Sequence, residues 1–171
     1  LKLAEYSQYK VANTIGVQTD GNVKYFHKIS AKFSCTIEVL QNWLAEPEIE
    51  ICSIDIASTS LSGRKILVYA GNMGVAQDLE IFIDLAKKYN QRSDIGFLFV
   101  GRGSEKIYLE KKSKELGLSN VLFFNEINSS EIPGLYKQCH AGIISLDRRH
   151  LTHNIPGKFL TYMAAGLPVF A

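Results

Sequence analysis

From residue 65 onward, short apolar runs alternate with amphipathic ones, and this alternation restricts the possible folds more than any other feature. The apolar runs are "KILVYAG" (65–71), "IGFLFVG" (95–101), "NVLFFN" (120–125), "HAGIISL" (140–146) and "PVFA" (168–171). All are far shorter than the roughly 20 residues of a membrane span. Their near-continuous apolar character is that of strands covered on both faces. Between them, "AQDLEIFIDLAKKY" (76–89) sets Leu79, Phe82, Ala86 and Tyr89 at helical steps of three and four. "SEKIYLEKKSKELG" (104–117) offers Ser104 as a cap, lysines in its later turns and a glycine stop. "SSEIPGLYKQC" (129–139) places Ile132, Leu135, Tyr136 and Cys139 on one helical face, with Ser129 or Ser130 as the cap. Strands alternating with helices predict βαβ units. Right-handed crossovers then give an α/β, Rossmann-like, doubly wound parallel sheet.

The first sixty residues follow a looser pattern. "NTIGVQT" (13–19) reads as a strand, "DGNVKYFHKIS" (20–30) as a helix with Asp20 near its cap, and "CTIEVLQNW" (35–43) as a strand leading outward. Residues 44–63 are mixed and end in a Ser/Thr/Gly-rich stretch, as a connector does. The predicted organisation is the tail of one α/β domain over 1–43, a connector over 44–63, and most of a second domain over 64–171. The chain begins with Leu1 and shows no secretory signal, which suggests an excised piece of a cytoplasmic protein.

With 46% hydrophobic and 21% charged residues, the chain can bury a real core. A net charge of +2 is too small to argue for nucleic acid, although a local basic patch could touch a membrane face peripherally. Cys35, Cys52 and Cys139 form no C-x-x-C pair, so the expectation is buried free thiols and neither a zinc site nor a disulfide framework.

In a parallel sheet, ligands bind beyond the carboxyl ends of the strands. The loops to inspect are therefore Gly71-Asn72-Met73-Gly74, Gly101-Arg102-Gly103, Asn125-Glu126-Ile127 and the stretch from Asp147 to Gly157. Glycines at the start of a helix let backbone amides approach phosphate. Neither glycine loop completes G-x-G-x-x-G, so an NAD fingerprint is missing. In "NIPGKFLTYMAAGLPVFA" (154–171), Pro156 suits a first helical turn, and Gly157 and Lys158 follow it. A cation in a first turn opposes the helix dipole by a few tenths of a kcal/mol or more, roughly, a penalty that a docked anion would reverse. A lysine extended into solvent is the plain alternative.

Taken together, "YAGNMG", "FLFVGRGSEK", "VLFFNEINSSEIPGLYKQCHAGIISL" and "IPGKFLTYMAAGLPVFA" resemble the C-terminal half of GT-B glycosyltransferases of family 4 (group 1). The flavour is that of bacterial enzymes that transfer amino sugars such as N-acetylfucosamine in surface-polysaccharide and lipopolysaccharide synthesis. "ANTIGVQTDGNVKYF" and "IEVLQNW" look like the end of the same family's N-terminal domain. The resemblance implies a nucleotide-diphosphate sugar donor, of uridine type, and a saccharide or polyprenyl-linked acceptor. No metal and no further cofactor are expected.

It further implies that Gly71, Asn72, Met73, Gly74, Gly157 and Lys158 face the diphosphate, and that Arg102 joins the donor-binding set. Asn125, Glu126 and Ile127 would lie against the nucleobase, and Asp147 to Asn154 near the donor sugar. Where many members carry Arg and Lys, this chain has Asn72 and Gln77, so phosphate binding would lean on backbone amides and Lys158. The ribose-gripping glutamate position is Thr161, and a second acidic position is His153. Family membership favours retention of configuration, with the catalytic residue on the N-terminal domain. The competing readings are a GT-B-like sugar-nucleotide epimerase and a non-catalytic nucleotide-binding or assembly module.

Overall fold

A computed structural model describes residues 2–44, 51–149 and 156–171, and the chain divides into two compact units. The smaller begins with helix α1 (Lys2–Val11), which has no counterpart in the sequence reading. Strand β1 (Thr14–Val17), helix α2 (Asp20–Phe33) and strand β2 (Thr36–Val39) follow. β1 and β2 pair in parallel with Thr14 opposite Thr36, and α2 is the crossover between them. The α2 cap is Thr19, one residue before Asp20, and its side chain accepts from the Asn22 amide at 3.3 Å.

The larger unit is the predicted sheet. Its strands are β3 (Lys65–Ala70), β4 (Ile95–Val100), β5 (Val121–Phe124), β6 (Ala141–Ile143) and β7 (Val169–Phe170). They lie in the order β5-β4-β3-β6-β7, and every pairing is parallel. Side chains alternate along each strand and so divide the core into two layers. Ile66, Val68 and Ala70 point to the layer that holds Ile54, Leu135 and Tyr162. Tyr69, Phe97 and Phe99 point to the layer that holds Leu79, Phe82 and Ile83. Helices α3 (Glu80–Lys88) and α4 (Lys106–Glu115) cover the second layer; α5 (Ile132–Tyr136) and α6 (Gly157–Ala164) cover the first. Because both faces are covered, the strands are apolar beyond Lys65 at the start of β3.

The helix ends differ from the sequence expectations. The run at 76–89 opens as a 3-10 turn over Val75–Gln77, closed by Asp78 in the left-handed region at φ 43°, and α3 starts only at Glu80. Ser104 does not cap α4; Glu105 takes that place and makes no side-chain capping bond. Neither Ser129 nor Ser130 caps the next helix. Asn128 and Glu131 form a reciprocal capping box around the turn Ser129–Glu131, and α5 follows it directly.

Within 51–63, read as connector, Ile54, Ile56 and Leu61 are buried in the larger unit's core. Cys35 and Cys139 are buried free thiols and Cys52 is partly buried, and burial pushes Cys139 up to about 12. Residues 45–50 of the connector and 150–155, including His153, lie outside the described residues.

Candidate functional site

The strand order reverses between β3 and β6, which marks the crevice beyond their carboxyl ends. Two glycine loops leave the sheet there, backbone against backbone. The Gly71 amide donates to the Val100 carbonyl at 2.8 Å, and the Met73 amide to the Arg102 carbonyl at 2.7 Å. Gly101 sits at φ 145°, and a Cβ built on it would collide with the Gly71 carbonyl oxygen. Gly71 itself, at φ 141°, leaves room for a lysine: a Cβ there would fall 2.6 Å from Lys158 Cε.

Lys158 comes from the first turn of α6, and α6 is fixed by a fully buried tyrosine one turn on. The Tyr162 hydroxyl donates to the Val68 carbonyl at 3.1 Å, and the Ala70 amide donates to that hydroxyl at 3.4 Å. The Tyr136 ring lies 5.0 Å from the Tyr162 ring, centroid to centroid. So held, α6 carries the Lys158 ammonium to 4.9 Å from the centroid of the Tyr69 ring, a cation–π contact. Tyr69 is braced in turn, its hydroxyl donating to the Asn72 carbonyl at 2.6 Å. Half-buried, Lys158 has its pKa pushed below the ordinary lysine value by lost hydration. Among the described residues no carboxylate lies within 4.0 Å of its ammonium and no hydrogen-bond acceptor faces it. A desolvated cation without an anion is costly.

Beside it opens a cavity of about 620 Å³, a volume that suits a small-molecule site. Gly71 and Gly101 border it on one side, Glu126 to Ser129 on another, and Lys158 and Thr161 from above. Among the described residues lining it, Lys158 is the cation and Glu126 the carboxylate; Arg102 pairs with Glu126 at 3.2 Å. The Thr161 hydroxyl is turned back onto its own helix, donating to the Lys158 carbonyl at 2.9 Å.

Of the residues singled out from sequence, the structure brings Gly71, Glu126, Ile127, Lys158 and Thr161 to this wall. Gly157 is the first residue of α6. The others stand back from the cavity. Met73 is fully buried in the core, and its carbonyl accepts from the Glu105 amide at 2.9 Å. The Asn72 side chain donates to Gln77 Oε1 at 3.2 Å, and that oxygen also accepts from the Gly74 amide at 3.0 Å. The Asn125 side-chain oxygen accepts from Lys106 at 2.6 Å.

A phosphate cradle made of the 71–74 amides is therefore mostly closed. Those of Gly71, Met73 and Gly74 already donate within the protein, which leaves the Asn72 amide without an acceptor among the described residues. The residue types explain this: Gln77 supplies an acceptor that folds inward onto Gly74. The first amides of α6 have no acceptor within their own helix, as in any helix. Sequence reasoning missed Asn128, Ser129 and Tyr136 as wall residues. A visible signal was Asn128-x-x-Glu131, a capping-box spacing that fixes this wall.

Residues 64–171 match the glycosyl transferases of group 1. Over 103 residues the chain is 32% identical to the Escherichia coli (strain K12) protein named as the colanic acid biosynthesis glycosyl transferase WcaI; this covers 60% of the chain and 25% of that protein. Solved structures of similar fold include Anabaena HepE with UDP and glucose, at a TM-score of 0.72 and 16% identity over 98% of this chain and 46% of that one. The pneumococcal O-GlcNAc transferase GtfA with UDP and GlcNAc gives 0.66 at 13% identity, over 97% of this chain and 31% of that one. WaaG, a glycosyltransferase involved in lipopolysaccharide biosynthesis, gives 0.60 at 17% identity, over 90% and 42%. The chain thus spans a quarter of the curated relative and less than half of each structure. No described helix is long and apolar enough to cross a membrane.

Proposed function

The chain belongs to the group 1 glycosyl transferases, and from that premise we propose that its larger unit binds the nucleotide-diphosphate end of a sugar donor. The observation that carries this reading is the half-buried, unpaired Lys158 ammonium at the rim of the cavity. A diphosphate placed there meets a full positive charge and the partial charge of a helix N-terminus. In the transfer, the bond from the anomeric carbon to the β-phosphate oxygen breaks as the acceptor hydroxyl oxygen bonds that carbon and loses its proton. Negative charge grows on the departing diphosphate, and fixed donors aimed at it lower the barrier. No metal enters this account, because Lys158 and the helix amides supply the positive charge. Retention of configuration and a saccharide or lipid-linked acceptor remain part of the proposal, as do uridine as the base and a role in polysaccharide synthesis.

Two proteins of similar fold, HepE and GtfA, are each seen with UDP and a sugar, which supports the reading. One observation favours a non-catalytic nucleotide-binding module instead. Thr161 offers a hydroxyl already committed to its own helix where a ribose would meet a carboxylate.

Calorimetric titration separates these contributions. Lys158→Ala is expected to weaken binding of a nucleoside diphosphate by about 1–3 kcal/mol, the range of a charge-assisted hydrogen bond. Binding of the nucleoside without phosphates should change much less. Equal losses for both ligands would show that the lysine only supports the fold.

Affinity should also depend on pH in a defined direction. Above about pH 7 the terminal phosphate is ionised, its second pKa being about 6. Further change then reports the lysine, whose charge is lost as pH rises through its depressed pKa. Diphosphate affinity is therefore expected to fall as pH rises above about 7, beginning below the ordinary lysine pKa of about 10.4. In Lys158→Ala this slope should be absent. A wild-type affinity flat over that range would contradict the assignment.

A further inference from the structure

The wall of the cavity at Asn128 and Ser129 is not held by its own loop alone. Glu131, only 8% exposed, places one carboxylate oxygen 2.7 Å from the Ser53 amide and the other 3.0 Å from the Asn128 amide. Ser53 lies 78 residues away in sequence, in the segment by which the chain enters the larger unit, and does not line the cavity.

A second clasp lies beside the first. The Ile56 amide donates to Gln138 Oε1 at 2.9 Å, and Gln138 Nε2 donates to the Ile54 carbonyl at 2.9 Å. Ile54 and Ile56 are packed into the same cluster as Leu135 and Tyr136, and Tyr136 forms part of the cavity wall. Hydrogen bonding from Ser53, then from the Asn128 amide, holds the Glu131 carboxyl below its usual range, so it accepts as a carboxylate at neutral pH.

We propose that Glu131 is a positioning residue of the cavity, fastening the Asn128–Ser129 wall to the entering segment so that ligand binding and order at Ser53 rise together. This rests on the reading of the cavity as the donor site. A buried carboxylate with both oxygens engaged has two discrete attachments to lose, one on each segment. Ligand pressing on Asn128 or Ser129 stabilises the arrangement in which Glu131 is fully bonded, and linkage makes the effect reciprocal. The entering segment thereby contributes to affinity from outside the cavity.

Amide hydrogen exchange and calorimetry on the full chain, with uridine diphosphate as the probe, test this. In the wild type, saturating uridine diphosphate is expected to slow exchange at Ser53 as well as at Asn128. Glu131→Gln replaces one acceptor oxygen by an NH₂ group facing an N–H. It should weaken uridine diphosphate and uridine alike by about tenfold, the size of one charged hydrogen bond, and abolish the ligand-dependent protection at Ser53. That pattern differs from Lys158→Ala, which acts mainly on the diphosphate.

Wild-type affinity and Ser53 protection retained in Glu131→Gln would overturn the inference while leaving the donor site standing. Ser53 exchange in the wild type that ignores bound ligand would overturn it too, and this arm needs no variant to fold. Absence of saturable binding to the wild-type chain would remove the donor reading and this inference with it.

Discussion

Tyr162→Ala is expected to lower the free energy of unfolding by about 3–5 kcal/mol, the range for truncating a buried aromatic side chain. Tyr162 is fully buried, its ring beside that of Tyr136 and its hydroxyl bonded to the β3 backbone at Val68 and Ala70. The substitution would leave a cavity between α6 and the sheet, together with a buried carbonyl stripped of its donor. Tyr162→Phe isolates the second part and should cost about 1–3 kcal/mol, since the packing survives. Urea unfolding of both variants measures the difference. Because Tyr162 anchors the helix that carries Lys158, nucleoside diphosphate affinity should fall with Tyr162→Ala even where the chain is folded. An Ala variant as stable as the Phe variant would show that the ring's packing contributes nothing.

Gly101→Ala should be nearly as damaging, for a different reason. At φ 145° an alanine is strained, and its Cβ would strike the Gly71 carbonyl oxygen, a backbone atom that cannot rotate away. Strain of about 1–3 kcal/mol and overpacking of about 1–3 kcal/mol then act together. The chain's remaining option is to separate the two loops, which breaks the bond from the Gly71 amide to Val100 and moves one edge of the cavity. Thermal melts should show the loss, and nucleotide titration should show weakened binding at temperatures where the variant is still folded. Gly117→Ala is a useful comparison: it shares a positive φ, 62°, but nothing lies within 4 Å of its built Cβ. A Gly101 variant no worse than that one would mean the close approach is relieved cheaply.

The sheet was legible because its signal is local. Five apolar runs at regular intervals leave few alternatives to a parallel layer, and their period-two division between Ile66-Val68-Ala70 and Tyr69-Phe97-Phe99 follows from strand geometry. Helix α1 was not legible, since its apolar residues form no buried stripe: Leu3 and Val11 are exposed. The core positions Ile54 and Ile56 were hidden in a stretch that reads as connector because their polar partner, Gln138, lies more than 80 residues downstream.

In the site, Lys158 stood out because a cation at a helix start contradicts the dipole. The 71–74 loop reads two ways, as a tight turn or as a phosphate cradle, because glycine signals that backbone can approach something without saying what. Here that something is the Arg102 carbonyl, the Val100 carbonyl and the Gln77 side chain, each already accepting an amide hydrogen. Glu131 lies at the opposite extreme. Its spacing from Asn128 marks a turn, yet its bond to Ser53 is visible only once the chain is folded.

Diphosphate binding at Lys158 is tested most directly by a crystal structure of the full chain with uridine diphosphate bound. A phosphate oxygen is expected at about 3 Å from Lys158 Nζ, with the nucleoside reaching toward Glu126 to Ser129. A diphosphate bound elsewhere, with Lys158 still resting on the Tyr69 ring and pointing at no anion, would contradict it.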